Sequence, residues 1–156
     1  MSSLRVRAPA KKVPEGVQEV FASSQLDEVL AQSDFVVLAV PVTPSTVGLM
    51  GASRLAQMKR DACLINVGRG PLVDEAALAQ ALHEHTIGGA ALDVFTAEPL
   101  PADSSLWDFE NLLNTPHTAG LTENLWKRHY QFISENLGRY LKGQPLLSVV
   151  NKKRGY

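Results

Sequence analysis

Four short apolar runs, FVVLAV, CLINV, GAALDVF and LLNT, recur along this chain with helix-like segments between them. That alternation narrows the choice of fold more than any other feature. The first run opens after Asp34 and contains no polar residue, which is expected of a parallel strand covered on both faces. Residues 52–58 then read as a short helix. Residues 75–85 read as an alanine-rich helix capped by Asp74, with Leu78 and Leu82 on one side. Strand and helix alternate at intervals of about 20–30 residues, the βαβ pattern of a doubly wound parallel α/β sheet.

The flanks extend the pattern. LRVR at 4–7 alternates apolar and basic and reads as a short strand. Pro9, Pro14 and Gly16 make 8–16 a loop, and 17–22 reads as a second short strand. Ser24 is placed to cap a helix over 25–32 in which Leu26, Val29 and Leu30 share a face. The two glycines of GGAALDVF (88–95) point to close packing or a bulge. AEPLPADSS breaks regular structure, and 106–109 reads as a turn of helix. A long helix is expected over 121–141, with Leu125, Tyr130, Phe132, Ile133, Leu137 and Leu141 in an apolar stripe, stopped by Gly143 and Pro145.

At 156 residues the chain suits one domain, burying roughly 70% of its extended-chain surface. A formal net charge of −1 gives no reason to expect nucleic acid or an anionic membrane as partner. The one cysteine, Cys63, falls inside a strand, which excludes a disulfide framework and fits a reducing, cytoplasmic setting. No apolar run approaches the ~18 residues of a membrane span, and MSSLRVRAP has no apolar core like that of a signal peptide.

Chemistry concentrates where the runs end. CLINV delivers Arg69 between Gly68 and Gly70, the third run delivers Asp93 and then Glu98, and the fourth delivers His117 after Pro116. Parallel strands emerge on one edge, and ligands of open α/β sheets sit in the crevice there. An arginine grips a carboxylate with two parallel hydrogen bonds. A histidine paired with a carboxylate serves as a general acid. Each residue alone reads equally as a loop former, and Arg69 as a solvated side chain on a glycine turn. It is their joint occurrence that points to a site. His83 and His85 close a helix, where they meet its terminal carbonyls. His129 reads as a packing or surface residue of the long helix, and no spacing suits zinc.

Four segments, DFVVLAVPVTPSTVGLM, MKRDACLINVGRGPLVDEAAL, GAALDVFTAEPLP and NTPHTAG, resemble the D-isomer-specific 2-hydroxyacid dehydrogenases in order and spacing over nearly the whole chain. SSLW and the closing VVNKKRGY look closest to the glyoxylate/hydroxypyruvate reductase branch. The resemblance implies a reaction between a nicotinamide cofactor and a small 2-keto or D-2-hydroxy acid. In it His117 would protonate the 2-keto oxygen, Glu98 would hydrogen-bond the imidazole, and Arg69 would orient the substrate's carboxylate and polarise its carbonyl. Asp93 would contact the nicotinamide end of the cofactor. Pro41 and Val67 would line the cofactor, with Thr46 a further contact and Ala119 and Gly120 beside the nicotinamide. A sister enzyme, formate dehydrogenase, fits less well, having glutamine where Glu98 stands.

The family's G-x-G-x-x-G turn, whose helix receives the pyrophosphate, does not occur in this sequence. LRVR resembles the second strand of the cofactor domain. The expected architecture is therefore a partial Rossmann-type sheet lacking its first strand: an incomplete dinucleotide-binding domain over 1–120, and a helix and tail over 121–156 that would return to a substrate domain. In the order 3-2-1-4-5-6 the first strand is central, so the second and third strands would lose the neighbour that joins them to the fourth. Uncovered edges invite pairing between chains, so a homo-oligomer, domain-swapped in one form, is expected, with weak or no activity from the chain alone. Arg7, near the end of the second strand, leans the cofactor toward NADP over NAD, although Arg5 and Arg7 also read as solvated. The competing class is a non-catalytic dinucleotide-binding or interaction protein on the same fold.

Overall fold

The computed structural model describes residues 4–6, 13 and 15–153. Six strands and four helices follow one another: β1 (Leu4–Val6), β2 (Glu19–Phe21), α1 (Leu26–Leu30), β3 (Phe35–Leu38), α2 (Ala52–Leu55), β4 (Cys63–Asn66), α3 (Glu75–His83), β5 (Gly89–Leu92), β6 (Leu112–Asn114) and α4 (Leu125–Leu141). Strands β3-β4-β5-β6 form a sheet in sequence order, every pair parallel. Strand β1 pairs in parallel with β2 as a separate two-stranded sheet. The expected interruption is thus present, with the first two strands bonded to each other and not to β3.

Register fixes which side chains meet. Val36, Leu64, Ala90 and Leu112 form one row across the large sheet, and Leu38, Asn66, Leu92 and Asn114 a second on the same face. These rows pack against Leu30 of α1, Leu55 of α2 and Leu78 and Leu82 of α3 in a single core. Side chains alternate faces along a strand, so the other face presents Phe35, Val37, Ile65, Ala91 and Leu113.

That second face departs from expectation. The FVVLAV run reads as covered on both sides, yet Phe35 and Val37 are 57% and 58% exposed and Leu113 is 64% exposed. The helices that contribute to the core do so on the opposite face, and on this one Thr118 and Ala119 line a hollow with Ile65, Ala91 and Leu113. Cys63 shares this side and is only partly buried, with its thiol pKa pushed up by what burial it has. The long helix differs as well: it starts at Leu125, not 121, and none of its residues is buried. Trp126, Tyr130, Ile133, Leu137 and Leu141 lie exposed along it, so its stripe faces away from this core.

Local signals account for most boundaries. The Asp74 carboxylate accepts hydrogen bonds from Ala76 N and Ala77 N, each at 3.1 Å, and so caps α3 as expected. Ser24 does not cap α1. It lies in a 3-10 turn, Ser23–Gln25, and the Gln25 side chain reaches back to accept from Ala22 N at 3.2 Å. The glycines ahead of β5 mark close packing: a Cβ on Gly88 would lie 2.8 Å from the Asp61 carbonyl oxygen, and one on Gly89 2.7 Å from that of Asn111.

Candidate active site

The carboxyl ends of β4, β5 and β6 carry three loops, each braced by a different device. At the end of β4, Asn66 is fully buried. Its Nδ2 donates to the Arg69 carbonyl at 2.9 Å, and its Oδ1 accepts from Gly68 N at 3.0 Å. One side chain thereby ties both sides of the turn that presents Arg69. The Asn66 carbonyl also accepts from Asp93 N at 3.0 Å, which locks the ends of β4 and β5 together. Arg69 is exposed, and its Nη1 donates to the Gly68 carbonyl at 2.7 Å.

Gly70 has a steric reason to be glycine. A Cβ there would overlap the Phe95 backbone carbonyl, so the arginine turn and the 94–98 loop can approach only without a side chain. From the other side, the Glu75 carboxylate at the start of α3 accepts from Thr96 N at 2.6 Å. Within the loop, Glu98 Oε1 accepts from Phe95 N at 3.0 Å. That leaves Oε2 to meet His117 Nδ1 at 2.7 Å.

Electrostatics fix the direction of that contact. The hydrogen bond to His117, then that from Phe95 N, hold the Glu98 carboxyl below its ordinary pKa, with the charges of His117 and Arg69 adding to the effect. Glu98 is therefore an anion that only accepts, and Nδ1 must carry the proton. The other ring nitrogen, Nε2, is left for a ligand. His117 and Glu98 are 46% and 36% exposed, so the pair is open to solvent.

Asp93 is the buried carboxylate beside this pair, at 5% exposure. Oδ1 accepts from the Thr115 hydroxyl at 2.5 Å and from Thr118 N at 2.8 Å, and Oδ2 accepts from Ala119 N at 2.9 Å. Burial pushes its pKa up, but these donors, with the His117 charge, outweigh that and hold it below the ordinary aspartate value.

Two hollows lie along this edge. One of about 620 Å³ is lined by Pro41, Val42, Val67, Gly68, Arg69 and neighbouring backbone. Another of about 190 Å³ is lined by Ile65, Val67, Ala91, Asp93, Leu113 and Ala119, among others. Of the residues singled out in the sequence, Pro41, Val67 and Arg69 share the first, Asp93 and Ala119 share the second, and Glu98 and His117 bond directly. Gly120 is exposed, with open space where a Cβ would stand. The Thr46 hydroxyl is engaged within its own loop, donating to the Pro41 carbonyl at 2.8 Å and accepting from Thr43 N at 2.7 Å. Arg7 lies outside the described residues. Among those described, no group of three His, Cys, Asp or Glu side chains could hold a metal ion, and no helix is long and apolar enough to cross a membrane.

Asn66, Glu75 and Thr115 brace these loops by hydrogen bonds that sequence reasoning passed over. Asn66 left a signal, being the polar residue that ends a buried apolar strand. Glu75 and Thr115 left none, since their bonds reach 21 and 22 residues along the chain.

Residues 4–119 match the family model described as D-isomer specific 2-hydroxyacid dehydrogenase, NAD binding domain. A glyoxylate reductase of Thermofilum pendens is 44% identical over 130 residues, covering 83% of this chain and 38% of that protein. Among solved structures, a D-isomer specific 2-hydroxyacid dehydrogenase of Xanthobacter autotrophicus, in complex with NADPH and MES, is 45% identical. It superposes with a TM-score of 0.88 over 97% of this chain and 62% of its own. An NADPH-dependent glyoxylate/hydroxypyruvate reductase of Sinorhizobium meliloti, in complex with NADP and sulfate, is 35% identical with a TM-score of 0.88, covering 98% and 49%. The chain spans about half the length or less of the curated relatives it matches. With its parallel sheet and strand-end loops, the chain belongs to the D-isomer specific 2-hydroxyacid dehydrogenase family, whose NAD binding domain it matches.

Proposed function

We propose that this chain supplies the proton-donating and carboxylate-gripping side of a site that reduces a small 2-oxo acid, of the glyoxylate or hydroxypyruvate type, to its 2-hydroxy acid, in the D form where that carbon is chiral. The observation that carries this reading is the 2.7 Å contact between His117 Nδ1 and Glu98 Oε2. It sits on the same sheet edge as Arg69. A bound nicotinamide cofactor supplies the hydride. His117 delivers a proton from Nε2 to the carbonyl oxygen, while Glu98 holds the ring and balances its charge. Arg69 leaves its own Gly68 carbonyl and takes the substrate's carboxylate in two parallel hydrogen bonds.

The residues present suit the nicotinamide half of a dinucleotide. Pro41, Val42 and Val67 give apolar walls to one hollow, and Asp93 and Ala119 line the other beside Val67, in keeping with the mostly apolar lining of cofactor sites; Gly120 follows Ala119 in sequence and is exposed. Thr46 acts by shaping the Pro41 loop. The pyrophosphate has no G-x-G-x-x-G turn in this sequence to receive it. We therefore expect weak cofactor binding and slow turnover from the chain alone. NADP is favoured over NAD, supported by the NADPH and NADP held in the two similar structures and by the basic Arg7. Fluorescence titration with NADPH and NADH, beside a glyoxylate and hydroxypyruvate assay, tests this. Tight cofactor binding without any turnover sinks it in favour of a non-catalytic dinucleotide-binding protein.

The open apolar face favours a second element of the reading. Phe35, Val37 and Leu113 on the sheet and the stripe on α4 are exposed apolar side chains of the kind that, when clustered, mark an interaction surface. We assign residues 1–120 to the dinucleotide-binding unit and 121–156 to an arm that packs elsewhere. Homo-oligomerisation with exchange of that arm fits both surfaces. The one cysteine, partly buried in β4, supports a reducing, cytoplasmic setting. Light scattering decides the assembly: a strictly monomeric species at high concentration contradicts it.

A further inference from the structure

We propose that Asp93 is the positioning residue for His117, acting through the backbone that carries the ring and not only as a contact for the cofactor. This rests on the reading of His117 as proton donor. The carboxylate takes three donors, the Thr115 hydroxyl at 2.5 Å, Thr118 N at 2.8 Å and Ala119 N at 2.9 Å. All three belong to the segment that brackets His117 on both sides. Asp93 itself is anchored, because it directly follows β5 and its own N–H bonds to the Asn66 carbonyl.

The bracket answers a backbone problem. His117 has φ of +56°, a left-handed conformation that costs a residue with a side chain free energy and that it keeps only where surrounding bonds over-determine it. The His117 N–H bonds to the Thr115 carbonyl, two residues back, at 3.0 Å. On the far side, Thr118 and Ala119 turn their N–H groups inward to a buried anion. Together these hold the chain in the turn that aims the imidazole at Glu98. Both ends of the His117–Glu98 contact are thus fixed from outside: Glu98 by Phe95 N and His117 by Asp93.

The chemistry requires a carboxylate at this position. An asparagine offers one oxygen and an NH2 group, so it can serve Thr115 and Thr118 but sets donor against donor at Ala119. Asp93→Asn should therefore release the loop selectively. In the cofactor-free chain, hydrogen exchange at the Thr118 and Ala119 amides should accelerate by at least about tenfold. The 15N signal of His117 Nδ1–H, assigned by its absence from His117→Ala, should be lost to tautomer averaging. In turnover, kcat should fall by about 10²-fold, the scale of a displaced catalytic group, with a much smaller change in NADPH affinity.

Thr115→Val removes one donor and keeps the charge, and should shift the same signals in the same direction by less. If Asp93→Asn does not fold, this variant decides the matter. Unchanged amide protection and an unchanged His117 ring signal overturn the proposal, as does a loss confined to cofactor affinity. The exchange and ring readouts need no catalysis, so they decide the role of Asp93 even if the chain proves inactive and the reductase reading fails.

Discussion

His117 Nδ1 lies 2.7 Å from Glu98 Oε2, although 19 residues separate them in sequence. The two reach each other because β5 and β6 are neighbouring parallel strands with their loops on one edge. The pairing assigns the imidazole's two nitrogens different tasks, one held by the protein and one open to a ligand.

Removing the ring should remove the proton. His117→Ala is expected to lower kcat by about 10²–10⁴-fold, the usual contribution of a general acid, while NADPH affinity by fluorescence titration changes little. Equal losses in both would show that the ring contributes to cofactor binding and not to proton transfer.

Arg69 should act mainly on substrate binding. Arg69→Lys keeps the charge but not the planar fork, so the KM for the keto acid should rise about tenfold or more, with Arg69→Ala worse. Steady-state kinetics on glyoxylate reads this directly, and an unchanged KM in both variants would return Arg69 to a solvated turn residue.

Gly70→Ala tests how the loops are held together. The added Cβ overlaps the Phe95 backbone, and since neither segment is a flexible side chain, a loss of about 1–3 kcal/mol is expected in urea unfolding. Activity should fall further than stability alone explains, because the collision separates the Arg69 turn from the Glu98 loop. Parent-like stability would mean that the two loops are not pressed together.

Acid should loosen the site in a defined direction. Asp93 and Glu98 both have folded-state pKa values below their ordinary ones, so each favours folding above its unfolded value, about 3.9 for aspartate and 4.3 for glutamate. That contribution disappears as pH falls through the lowered folded values. Circular dichroism across this range should show the stability gap between parent and Asp93→Asn narrowing as pH drops below ~4. A gap that stays constant would mean that the Asp93 charge contributes nothing.

Much of this architecture was legible in the chain, for physical reasons that particular residues show. Buried parallel strands leave apolar runs, so FVVL, CLIN and GAAL announced β3, β4 and β5, and Asp74 announced the start of α3. Strand ends fall on one edge, so Arg69, Glu98 and His117 could be grouped before any distance was known. The open sheet face was not legible. Phe35 and Val37 have the same composition whether a helix covers them or not, and coverage depends on partners beyond the strand. The Asp93 bracket was equally hidden, because an aspartate that touches a cofactor and one that clasps backbone N–H groups look identical in sequence. Arg7, read as favouring NADP, lies outside the described residues.

The most direct test of the central claim follows NADPH absorbance when glyoxylate or hydroxypyruvate is added to the chain and to His117→Ala. Slow, keto-acid-dependent oxidation of NADPH that is abolished in the variant is the predicted result. Turnover equal in both chains, or tight NADPH binding with no oxidation in either, would contradict it.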